Sequence, residues 1–130
     1  MRRGLQVVLA ILSLIPIGFG SLNFITGAAR YMAADRVTAP IDSQFRYESA
    51  VYVAVGLMIW WVIPRVERMT TPFRLIALGI FAGGLGRLLS QAQYGDPRPE
   101  MLAGMWLELS LPVLIVWQWW VARAASAQGR

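Results

Sequence analysis

The sequence predicts an all-α polytopic membrane protein, an antiparallel bundle of four transmembrane helices forming a single domain over residues 1–130. Three observations predict it. Apolar residues make up 57% of the chain and charged residues 15%, well under the roughly 25% charged residues of a soluble domain. Four apolar segments each approach the roughly 20 residues needed to cross about 30 Å of hydrocarbon. The basic residues, all arginine, flank those segments instead of clustering on one face. Flanking charge encodes membrane topology, whereas nucleic-acid binding needs a basic patch, so no nucleic-acid partner is expected.

The first span covers about residues 5–25, behind the basic pair Arg2–Arg3. A basic start also describes a signal peptide, but the apolar run is nearly a full span and the site FGSLNFITGAA is a weak one, so a retained helix is expected. Pro16 lies mid-span with Gly18 and Gly20 after it, which predicts a kink. An outer loop, about residues 26–44, follows; its stretch TGAARYMAADRV suits a short helix over the outer face. The second span is about 45–63, FRYESAVYVAVGLMIWWVI, stopped by Pro64.

The third span is about 72–90. The TTP sequence before it suggests Thr71 as cap and Pro72 in the first turn. A short outer link with a Gly95-Asp96-Pro97 turn leads to the fourth span, about 101–121. The last residues, AASAQGR, read as a frayed tail.

Charge sets the orientation. With both termini on one side, that side holds Arg2, Arg3, Arg65, Arg68, Arg74, Arg123 and Arg130 against Glu67: seven arginines to one acid, or +6. The other side holds Arg30, Arg36, Arg46, Arg87 and Arg98 against six acids, or −1, and the two halves sum to the formal +5. Basic residues mark the cytoplasmic face, so both termini are expected in the cytoplasm, the membrane being a bacterial plasma (inner) membrane. Trp60, Trp61, Trp117, Trp119 and Trp120 then fall at the cytoplasmic ends of spans two and four, as an interfacial belt.

Four charged residues fall in the outer half: Arg46 and Glu48 opening span two, Arg87 closing span three, and Glu108 inside span four. Tyr52 and Trp106 are their expected neighbours. Arg87 can snorkel to the interface. A carboxylate has no such reach, and an acid at a helix centre costs about 2.5–3.5 kcal/mol to insert. Glu108 should therefore face the interior, paired with Arg46 or Arg87, or be protonated. The network reads either as an ion-pair lock between helices or as an outward-opening site for a lipid headgroup or small amphiphile, with proton coupling a further reading. Pro112 removes the helical donor for the Glu108 carbonyl, as in helices that line cavities.

The chain has no Cys and no His. That excludes disulfides and thiolate chemistry and removes the commonest metal ligand and neutral-pH proton shuttle. With no nucleophile elbow or metal motif either, no catalytic residue, metal or cofactor is expected.

Gly79 and Gly83 are four residues apart, and Gly83, Gly84 and Gly86 clear the turn before Arg87. Small residues at this spacing let helices approach closely in lipid. Gly56, with Ala50 and Ala54, suits the same use. The approach is either within the monomer or to a homo-oligomer or larger membrane partner.

The Phe45–Arg46 start with Gly56, GGLGRLLS at positions 83–90, Gly95 with Pro97, and Glu108 together resemble the small bacterial four-helix membrane proteins of domain-of-unknown-function family 4345. The likeness covers most of the chain from the second span onward. It implies the four-span fold, implies that Arg46, Arg87 and Glu108 are family features, and implies no reaction. Two functions are consistent with these readings. One is an accessory subunit of a larger envelope or transport complex. The other is a stand-alone membrane binder or carrier of a lipid-like molecule using the outer-half polar pocket. Membrane lipids are partners in either case.

Overall fold

The computed structural model describes residues 1–129; Arg130, counted in the charge balance, lies outside them. It is all-helical: α1 (Arg2–Thr26), α2 (Ala39–Val62), α3 (Thr70–Tyr94), α4 (Pro99–Leu109) and α5 (Leu111–Gln128). Four spans are long and apolar enough to cross a membrane, with α4 and α5 forming the fourth, Pro99–Gln128. Only 17–28% of each span's apolar window is buried. Ile11, Leu14, Leu75, Leu89 and Val113 are each more than half exposed. An aqueous protein would fold such side chains inward, whereas a bilayer solvates them.

The chain resolves into two compact units: Gln6–Pro64, and Met1–Leu5 together with the chain from Arg65 onward. In the first, α1 and α2 run antiparallel at close range. A Cβ placed on Gly56 would meet Ile17 at 2.5 Å, and one on Gly20 would meet Val53 at 2.8 Å and the Ser49 carbonyl at 2.9 Å. Ala50 and Ala54, expected to share this contact with Gly56, are exposed. Further along the hairpin, Trp60 Nε1 donates to the buried Ser13 Oγ (2.7 Å), and Gln6 Nε2 donates to the Ile63 carbonyl (2.8 Å).

Two features here differ from the sequence expectation. The loop is shorter, since α2 starts at Ala39 and not near Phe45. Thr38 is extended, Pro40 sits in the first turn where no N–H is needed, and Asp42 favours the positive helix end. The single short helix expected in the loop is instead two three-residue 3₁₀ turns, Ala28–Arg30 and Ala34–Arg36.

In the second unit α3 runs antiparallel to α4 and α5. Buried Phe73, Ala77 and Gly84 mark its packed face. The helix starts at Thr70 with Met69 in the cap position and no side-chain cap, so Thr71 does not cap it. Its far end runs a turn past Ser90 to Tyr94, where Gly95 at φ 86° ends it. The last span is interrupted at Ser110, the break expected from Pro112, which cannot supply a backbone donor. Ser110 repairs part of the break: its Oγ donates to the Leu107 carbonyl at 2.6 Å. The tail expected to fray is helical to Gln128, since no breaker precedes Gly129.

Candidate functional site

The polar residues singled out in the sequence divide between the two units. In the second, Gly84 decides what can approach. A Cβ there would lie 3.0 Å from Glu108 Cβ and 3.2 Å from the Leu109 side chain. The missing side chain lets α4 pack against α3 and lays the acid beside the turn carrying Arg87. Arg87 Nε and Glu108 Oε2 are 3.0 Å apart. Of the two candidate partners for Glu108, the structure pairs it with Arg87.

The pair is asymmetric. The Glu108 side chain is 11% exposed and that of Arg87 40%. The arginine reaches its partner from the rim, as its long stem permits. Although the charges touch, that buried oxygen accepts no well-formed hydrogen bond among the described residues. It can still accept one. Trp106 does not share this environment: two residues before Glu108 on the helix, it is 59% exposed.

Arg46 is committed elsewhere, within the first unit. Its Nε bonds Asp42 Oδ2 at 2.8 Å, and one terminal nitrogen donates to the carbonyls of Phe24 (2.6 Å) and Ile25 (3.0 Å). Those carbonyls belong to the last turn of α1, which lacks intrahelical donors and carries partial negative charge. Asp42 completes the clamp, its Oδ1 accepting the Ala28 N–H at 2.8 Å. Gly27 makes it possible with φ 70°, since a Cβ at this position would strike both the Asp42 carboxylate and the Arg46 guanidinium. Arg46 thus acts as a cap for α1.

Glu48, expected in the same network, is exposed and accepts from Gln44 Nε2 at 2.9 Å on its own helix. Tyr52 is half-buried in α2. Tyr31 ties the loop down, bonding Asn23 Oδ1 at 3.0 Å and meeting the Phe45 ring edge-on.

Asp42 and Gln118 are among the polar residues that the sequence does not single out. Asp42 was placed in the loop, although its i,i+4 spacing to Arg46 was visible. Gln118 lies between tryptophans in an apolar run, yet it is fully buried and donates to the Val66 carbonyl and Thr70 Oγ1, both at 3.0 Å.

The remaining glycines of α3 behave differently from Gly84. Gly79, Gly83 and Gly86 fall within about 60° of the helix circumference. All three are exposed, with nothing among the described residues within 4 Å of where a Cβ would stand. They form a shallow apolar trough, well away from the buried Phe73–Ala77–Gly84 face. Among the described residues no group of three or more metal-ligating side chains occurs.

A family model described as "Domain of unknown function (DUF4345)" matches residues 4–119. The match takes in the first span, which the resemblance read from the sequence left out. No curated protein and no solved structure matches the chain.

Proposed function

The chain belongs to the DUF4345 family, and we propose that it is a small accessory subunit that docks through α3 onto a larger envelope or transport complex. The membrane in this reading is a bacterial plasma membrane, with both termini in the cytoplasm; the arginine excess on the terminal side supports that orientation. The observation that carries the docking role is the open trough of Gly79, Gly83 and Gly86. Lipid tails gain little from a helix surface without side chains, whereas a second helix can bring its backbone close and gain dispersion contacts. Purification in gentle detergent tests this reading. A heteromeric partner at fixed stoichiometry is expected, and it should be lost when Gly79 and Gly83 are both changed to Leu. Recovery solely as a monomer or homodimer counts against the proposal.

A second reading, a binder or carrier of a lipid-like molecule, is favoured by Glu108 Oε2, a buried acceptor beside Arg87 Nε with no well-formed hydrogen bond among the described residues. A hydroxyl or amine of an amphiphile would supply one. This reading expects a small molecule to copurify with the native protein and to be absent from Glu108→Leu.

A further inference from the structure

At the end of α5, in the second unit, an open cleft of about 620 Å³ lies between α3 and α5, lined by Thr70, Arg74, Trp119, Arg123 and Ser126 among others. We infer that this cleft holds the phosphate of an anionic phospholipid between Arg74 and Arg123, a role separate from partner docking and from the Glu108 site.

Both arginines lack a paired anion among the described residues. Neither has a carboxylate within ion-pair distance among the described residues, and the cleft lining contains no acid. The neighbouring cleft makes the contrast: its Arg2 is matched by Glu67 at 3.1 Å. Arg74 is the sharper case. Its Nε is buried yet finds no acceptor among the described residues, and a buried donor without a partner costs about 1–3 kcal/mol, more when charged. Arg123 is held in place by Trp119, its guanidinium carbon 4.6 Å from the ring centroid, an attraction that leaves the N–H edges free to donate.

The hydroxyls fit an acceptor-rich ligand. Thr70 Oγ1 receives the Gln118 amide, so its own proton is free to donate. Thr70 also opens the uncapped α3, whose first N–H groups and dipole favour an anion. Two forked guanidiniums, one hydroxyl and a helix N-terminus suit phosphoryl oxygens.

Lipid is the source favoured over free phosphate because of what surrounds the cleft. Trp119 and Trp120 are exposed on an apolar helix, and such rings sit at headgroup depth. The cleft is therefore open where lipid phosphates lie, with Ala122 providing an apolar wall.

The test uses the full chain in mild detergent, with phosphatidylglycerol or phosphatidylcholine of the same acyl chains added and complexes counted by native mass spectrometry. One phosphatidylglycerol per chain should be retained at roughly 30-fold lower concentration than phosphatidylcholine, about fivefold per arginine. Arg74→Gln/Arg123→Gln should erase the preference, and Arg36→Gln should keep it. Should the double variant fail to fold, Arg123→Gln alone decides, with an expected loss of about fivefold. Equal retention of the two lipids by the native chain, or an undiminished preference in the variants, overturns the inference. So does thermal stabilisation by inorganic phosphate that depends on Arg74 without any lipid preference, which would assign the cleft to a free anion.

Discussion

Arg87 Nε stands 3.0 Å from Glu108 Oε2, and Gly84, three residues before Arg87, provides the space in which the glutamate stem lies. An apolar α4 thereby carries an acid through a region where an isolated carboxylate is not tolerated. Breaking a buried pair by removing one partner costs about 3–5 kcal/mol. Glu108 is the buried member, so stranding it by Arg87→Leu should be the costlier single change. Arg87→Glu and Glu108→Arg should each destabilise the protein in detergent melts, and the double reversal should recover about 1–2 kcal/mol of the loss. Strictly additive losses would remove the pair as a stabilising contact.

Gly84 and Gly79 are one residue type with two opposite expected outcomes. Leu at position 84 must displace Glu108 and Leu109, and overpacking of this kind costs about 1–3 kcal/mol. A Cβ at position 79 meets nothing within 4 Å among the described residues, so with Leu there the purified protein should melt within about 0.5 kcal/mol of native while losing its partner. Melting and native pulldown on the same two variants separate packing from docking.

The Arg46–Asp42 clamp should control the mobility of the first loop. Asp42→Asn removes the charge, and Gly27→Ala forces a side chain into both partners and into a left-handed backbone. Backbone strain of that kind alone costs about 1–3 kcal/mol. Hydrogen exchange at residues 24–31 should rise in either variant, and exchange near Gly84 should not. Unchanged protection over residues 24–31 would mean that the loop is held by Tyr31 and not by the clamp.

Gln118 offers a test in which two terms oppose. Its Nε2 makes two hydrogen bonds, while its buried Oε1 has no partner among the described residues. Gln118→Leu removes one orphan acceptor but strips donors from the Val66 carbonyl and Thr70. Each lost bond is worth about 1 kcal/mol, so two losses outweigh one relief and a net cost of about 1 kcal/mol is expected. A more stable variant would show that the orphan oxygen dominates.

The spans were legible because lipid imposes a crude rule, about 20 apolar residues between charges, and this chain obeys it four times. Helix ends were less legible. Polar residues 42–44 hide the start of α2 at Ala39; Asp42 in its first turn and Arg46 one turn later serve the end of α1. Glu108 announced itself by cost: an acid in an apolar helix demands a partner, and only a few cations were within reach. Arg46 looked equally eligible, since sequence says nothing of carbonyls left open at Phe24 and Ile25. Gln118 and Arg74 were missed for a related reason. One was hidden among tryptophans, and the other was counted only as a topology signal.

The division of the chain also has a consequence for its biosynthesis. Residues 6–64 close their own contacts, from Gln6 with Ile63 to Gly20 with Val53. This hairpin can be complete while the ribosome is still producing α3. The first five residues belong to the other unit, where Arg2 meets Glu67 and Gly4 lies against Trp117. Gly4 therefore cannot settle against Trp117 until α5 exists, whereas Arg2 needs only Glu67, which precedes α3.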